Sequence, residues 1–145
     1  MEIIKAELIH GEQIGDIEQK YIECPWSREQ IFDAINGENY EYFVAIDGKE
    51  RNEVVGYAGI EWCLDEGNIC NIAVKSEYRR RGVATALINE IISGAKVKGV
   101  KTLYLEVNEF NESAIKVYEK LGFTTYNLRK NYYRGASAIC MKKEI

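Results

Sequence analysis

The sequence predicts an α/β domain built on a mixed sheet flanked by helices, and three observations predict it. Runs rich in branched and aromatic residues recur from Tyr40 onward, separated by polar turn residues. A long helical stripe from Val83 lies between one such run and the next, as a crossover between parallel strands requires. Further helical patterns precede the first hairpin and the last pair of strands. The expected order is β-α-α-β-β-β-α-β-α-β-β, without internal repeats.

The residues from Ile3 to Ile9 read as a short first strand. Ile14, Ile17 and Tyr21 then recur at helical spacing, in a helix expected to end near Glu23. Pro25 breaks the chain. Ser27-Arg28-Glu29-Gln30 matches a capping box, in which Ser27 and Gln30 satisfy each other's exposed backbone donors, and a short helix follows to about Asn36. Tyr40 to Ile46 and Glu53 to Leu64 form a predicted hairpin around the polar turn Asp47-Gly48-Lys49-Glu50. A second turn, at Asp65-Glu66-Gly67, leads into a strand from Asn68 to Val74.

Val83, Leu87, Ile91 and Ala95 step by four, with Ala84, Ile88 and Ile92 as the adjacent row, and Gly99 is the expected terminator. From Lys101 to Val107 the pattern alternates, with Leu103, Leu105 and Val107 on one face and Thr102, Tyr104 and Glu106 on the other. Asn111 is placed to cap a helix whose stripe is Ala114, Val117, Tyr118 and Leu121, with Gly122 at its end. Thr124 to Tyr132 and Ala136 to Lys142 are the last two strands.

Composition narrows the function. The chain has 145 residues, 46% hydrophobic and 29% charged, the profile of one ordinary globular domain. A net charge of −4 argues against nucleic acid as the main partner, since phosphate binding needs a surplus of Lys and Arg, and it suits a cationic substrate. Neither a signal peptide nor a membrane-length apolar run is present, so a cytoplasmic location without membrane contact is expected. Cys24, Cys63, Cys70 and Cys140 form no C-x-x-C pair and read as free buried thiols rather than metal ligands or a disulfide framework. His10, the single histidine, has no matched acid nearby. It is expected at the surface, which disfavours a serine or cysteine nucleophile and, with no clustered ligands, a metal.

The turn between Val74 and Val83 holds Arg79, Arg80, Arg81 and Gly82. Backbone N–H groups, a helix N-terminus and a glycine that permits close approach converge there, which suits a pyrophosphate. It ends neither in Gly-Lys-Ser/Thr, as a P-loop does, nor in Gly-x-Gly-x-x-Gly, as a dinucleotide fold does.

Arg79-x-x-Gly82-x-Ala84 resembles the acetyl-CoA motif of the GNAT superfamily, Gln/Arg-x-x-Gly-x-Gly/Ala. The run Asn71-Ile72-Ala73-Val74, then Tyr78 and the arginine loop, Leu105-Glu106-Val107, Asn111, Ala114 and Tyr118-Glu119-Lys120-Leu121-Gly122-Phe123 resembles the bacterial ribosomal-protein-alanine N-acetyltransferases, the RimI-like branch. Pro25-Trp26-Ser27, Gly56-Tyr57-Ala58-Gly59 and Asn131-Tyr132-Tyr133 extend the likeness over nearly the whole chain. The resemblance implies a single-domain acyl-CoA N-acyltransferase fold with acetyl-CoA as cosubstrate and no metal. It implies cofactor contacts from the main chain of Ile72, Ala73 and Val74, from Arg79 through Thr85, and from Asn111.

Acetyl transfer to an amine needs a neutral nucleophile, a polarised carbonyl and a proton for the departing thiolate. The resemblance assigns Glu106 as general base and Tyr118 as general acid. By pattern alone Glu106 reads first as a solvent-facing strand residue, and Tyr118 as a core tyrosine with its hydroxyl at the rim. An α-amine of pKa about 8 is neutral far more often near pH 7 than a lysine at about 10.4. That makes an α-amine the easier acceptor without excluding lysine; the resemblance implies that it is the N-terminal α-amine, alanine, of a ribosomal protein, with Trp26, Tyr132 and Tyr133 expected to line its groove. An amine acetyltransferase acting on small molecules or lysine keeps the same pair, and a non-catalytic acyl-CoA-binding module would not need it. Two segments depart from the family pattern: Asn108 and Phe110 stand where a basic and a small residue are usual, and Arg134-Gly135-Ala136-Ser137 replaces a longer loop ending in an acidic pair.

Overall fold

A computed structural model of the chain describes residues 1–48 and 53–145. Its elements run β1 (Glu2–Lys5), α1 (Gly11–Tyr21), α2 (Arg28–Asn36), β2 (Tyr40–Asp47), β3 (Glu53–Cys63), β4 (Glu66–Val74), α3 (Val83–Val97), β5 (Thr102–Asn108), α4 (Glu112–Lys120), β6 (Thr124–Tyr133) and β7 (Ala136–Glu144). Short 3-10 turns at Leu8–His10 and Ser76–Tyr78 precede α1 and α3. The order is the expected one. Seven strands form one sheet in the order β1-β2-β3-β4-β5-β7-β6, antiparallel except between β4 and β5. That single parallel pair follows the α3 crossover, as the sequence predicted.

Each face of the sheet has its own core. On one side α3 and α4 pack Leu87, Ile88, Ile91, Tyr118 and Phe123 against Leu103, Leu105 and Val107. On the other, Ile14 and Ile17 of α1 and Ile31 and Ala34 of α2 cover Tyr42, Val44, Val54, Tyr57 and Ala73. Leu87, Ile88 and Ile91 are fully buried, each contributing about 1.5–3 kcal/mol of apolar burial. The stripes read from the sequence are the faces that bury. The Ser27–Gln30 capping box forms, with the Gln30 N–H donating to Ser27 Oγ at 3.1 Å and the Ser27 N–H to Gln30 Oε1 at 2.8 Å.

Several expectations need correction. The first strand ends at Lys5, because Glu7 and His10 cap each other across a 3-10 turn: the Glu7 N–H donates to His10 Nδ1 at 2.9 Å. His10 is thereby buried, not at the surface. The turn after β3 is tighter than expected, since Cys63 pairs with Glu66 and leaves only Leu64 and Asp65 to reverse the chain, Leu64 at φ 56°. Of the four cysteines, all free thiols, only Cys140 is buried: Cys24 and Cys63 are exposed and Cys70 is intermediate. Lys49 and Glu50 of the first turn lie outside the described residues.

Candidate active site

The site arises where β4 and β5 part. They pair only at Glu66–Asn68 against Thr102–Tyr104; beyond this β4 stays with β3, and β5 with β7. A cavity of about 510 Å³ occupies the resulting gap. Ile69 to Ile72 form one wall, Leu105 to Asn108 the other, and Tyr21 to Glu23, Tyr118 and the β6–β7 turn close it. Once the strands diverge, the β4 backbone has no sheet partner on that side. A carbonyl oxygen needing a hydrogen-bond donor can be met there by main chain.

Glu106 of β5 and Tyr118 of α4 both line this cavity. Strand alternation turns Glu106 away from the α3 core, toward the side covered by α1. Its carboxylate lies 3.3 Å from Arg129 Nε of β6. Tyr118 reaches the gap from α4 on the other side of the sheet. The α4 start is fixed by Asn111, whose Oδ1 accepts the Ala114 N–H at 3.3 Å, and Gly122 at φ 94° ends the helix one position after its cap. Tyr118 is buried edge-on against Phe123, and burial pushes its phenol well above the ordinary tyrosine value, so the hydroxyl keeps its proton at neutral pH. That is the state a proton donor requires.

Of the remaining expected contacts, Ile72 and Asn111 line the cavity, while Ala73 and Val74 continue β4 beyond it, both buried. The loop that follows is shaped by Arg80 at φ 62° and Gly82 at φ 77°. Arg79 is drawn inward: its Nε donates to the Val74 carbonyl at 3.1 Å and its guanidinium sits over Tyr21. Arg81 covers Tyr78. No side chain caps α3. The first-turn N–H groups, at Val83, Ala84 and Thr85, therefore have no acceptor within the helix. Arginines, open N–H groups and a left-handed glycine fit a diphosphate, and the unpaired β4 edge fits an amide-bearing arm leading to a thioester.

The three aromatic residues expected at the acceptor separate. Tyr133 lines the cavity, and burial raises its phenol to about 12. Tyr132 stands outside the lining, half exposed and edge-on to Tyr133, its phenol raised first by the Glu106 charge. Trp26 is not in the cavity wall; it packs edge-on to Tyr40 against the α2 side of the core. A buried group the sequence reading missed is Glu18, fully inaccessible, which accepts hydrogen bonds from Tyr57 Oη, Asn71 Nδ2 at 2.9 Å and the Trp26 N–H at 3.1 Å. Desolvation raises its carboxyl above the usual range. A signal was present: Glu18 follows Ile14 by four in the apolar stripe of α1, a core position where a carboxylate needs partners. Arg129 carried no such signal, because only the tertiary placement of β6 brings it to Glu106.

The pattern of the acetyltransferase (GNAT) family matches residues 11–123. A Haemophilus influenzae protein named ribosomal protein bS18-alanine N-acetyltransferase is 37% identical over 131 residues, 90% of this chain and 86% of its own. The crystal structure of the Escherichia coli ribosomal-protein-S18-alanine N-acetyltransferase superposes with a TM-score of 0.88 at 33% identity, over 99% of this chain and 93% of that one. Arabidopsis thaliana NAA60, crystallised in complex with acetyl-CoA, shares the fold with a TM-score of 0.90 at 19% identity, over 99% of this chain and 97% of its own. With the family pattern spanning most of the sheet and both walls of the cavity, the chain belongs to the acetyltransferase (GNAT) family and is an N-acetyltransferase.

Proposed function

We propose that this chain moves the acetyl group of acetyl-CoA to the N-terminal α-amine of a protein, an alanine of a ribosomal protein. The carrying observation is that Glu106 and Tyr118 face one cavity from opposite sides of the sheet, at the place where β4 and β5 part. Acetyl-CoA supplies an activated thioester. The main chain of Ile72, Ala73 and Val74 holds its arm and polarises the carbonyl. The loop from Arg79 to Gly82 and the N–H groups of Val83, Ala84 and Thr85 hold its phosphates, and Asn111 adds a polar contact. Direct transfer in a ternary complex requires the amine to lose one proton and the sulfur to gain one. Glu106 takes the first, directly or through water, and the Tyr118 hydroxyl gives the second as the carbon–sulfur bond breaks and the carbon–nitrogen bond forms.

Two features support an α-amine acceptor. Relatives at 33–37% identity are named as alanine N-acetyltransferases of ribosomal protein S18. An α-amine also reaches its neutral form more readily than lysine. Tyr133 closes the acceptor end, and we place Trp26 and Tyr132 with the flanking segments that a longer peptide meets. The free thiols suit the reducing cytoplasm, where we place the reaction. No helix among the described residues is long and apolar enough to cross a membrane.

Release of free thiol from acetyl-CoA, measured with peptides beginning in alanine or serine, an acetylated-alanine control, polyamines and free lysine, tests the reading. Turnover of the alanine peptide and none of its blocked form is expected. Turnover of polyamines with no peptide activity would overturn it in favour of a small-molecule acceptor.

A further inference from the structure

The acceptor side of the cavity is held by a buried junction that takes no part in the chemistry described above. Glu18 lies one helical turn before Tyr21, and Tyr21, Ile22 and Glu23 line the cavity. Its carboxylate is completely buried and collects donors from three separate parts of the chain: Tyr57 of β3, the Asn71 amide of β4 and the main chain of Trp26 in the connection between α1 and α2. Asn71 also lines the cavity. Ala73, two residues on and so on the same face of β4, packs in the α1–α2 core, which is the face Glu106 also takes. One carboxylate thus ties the β4 wall of the cavity to the segment from Tyr21 to Trp26 that helps to close it.

A buried carboxylate is costly, and apolar packing would fill this helix position more cheaply. Its geometry shows what it secures: three donors from separate parts of the chain would be left unmatched without it. We infer that Glu18 is a positioning residue for the acceptor, acting through Asn71 and the Trp26 main chain to fix the width of the acceptor entrance, while the cofactor's phosphates are held elsewhere, by the arginine loop and the start of α3. The role is one of hydrogen-bond geometry and not of charge. Glutamine can reproduce it, because its carbonyl can accept from Asn71 and Trp26 while its amide donates to the Tyr57 hydroxyl.

The inference rests on the acetyltransferase reading but not on which amine is used. The test is run with whichever acceptor the parent enzyme acetylates, so a failed peptide panel and a failed Glu18 role remain distinguishable. Glu18→Ala, Glu18→Gln and Asn71→Ala are compared for acceptor KM, kcat and acetyl-CoA Kd. Glu18→Ala is expected to raise acceptor KM about tenfold and Asn71→Ala about fivefold, with acetyl-CoA Kd within about twofold and Glu18→Gln within about threefold of the parent throughout. If Glu18→Ala does not fold, Asn71→Ala and Glu18→Gln carry the test. Unchanged acceptor KM in folded Asn71→Ala, an equal loss of cofactor affinity, or a Glu18→Gln variant as impaired as Asn71→Ala would overturn the proposal.

Discussion

In the proposed reaction Glu106 takes one proton and Tyr118 gives another, and the environment of each decides what its replacement does. Glutamine keeps the shape of Glu106 but cannot take a proton, so Glu106→Gln should lower kcat by about 10²–10⁴. Steady-state thiol release checks this, and unchanged turnover would remove Glu106 from the base role. Tyr118 is buried against Phe123 with its phenol held protonated. Phenylalanine should leave that packing intact, so Tyr118→Phe is expected to lose about 10² in kcat with acetyl-CoA Kd unchanged by calorimetry. Glu18 has a pH signature of its own because burial raises its folded pKa. Well below the unfolded value of about 4.3 the side chain is protonated in both states and adds no charge-burial cost; as pH rises past that value and through the raised folded one, the unfolded chain ionises first and stability is lost. Denaturant midpoints should therefore move in favour of Glu18→Gln as pH rises above about 4, and a constant difference would contradict the shift.

At the scale of elements, local chemistry sets the ends of helices and tertiary contact sets their surroundings. Asn111, Gly122 and the Ser27–Gln30 box were legible because a cap is a relation between residues a few positions apart. Gly82 belongs to the same class: it precedes α3 at φ 77°, and a Cβ there would meet nothing within 4 Å. Gly82→Ala should thus cost about 1 kcal/mol through backbone conformation alone, with weaker acetyl-CoA binding, as read by thermal melting and calorimetry. Gly59 was not legible in this way. A Cβ on Gly59 would overlap the ring of Tyr42, which lies across β3, so Gly59→Ala is expected to destabilise by about 1–3 kcal/mol in a denaturant titration. The burial of His10 and the exposure of Cys24 and Cys63 likewise depended on how segments turn in space.

For the whole molecule, the parting of β4 and β5 is the organising feature, and filling that gap should stabilise the fold. A ligand that binds only the folded chain at about 100 times its Kd adds about 2.7 kcal/mol, which for a domain of this size raises Tm by roughly 8 °C. Acetyl-CoA is expected to produce such a shift in differential scanning fluorimetry, equally in Tyr118→Phe; the absence of a shift at saturating concentration would count against the cofactor site. The sequence by itself determined the element order, the two faces that bury, the helix caps and the arginine loop, because periodicity, capping and turn chemistry act over a few residues. It also carried, through family likeness, the pairing of Glu106 with Tyr118. Only the tertiary structure decided that β7 lies between β5 and β6, that Arg129 meets Glu106, that Trp26 leaves the cavity wall and that Glu18 joins three segments. Those relations are set by strand order and register, which bring together residues whose separation along the chain leaves no local trace.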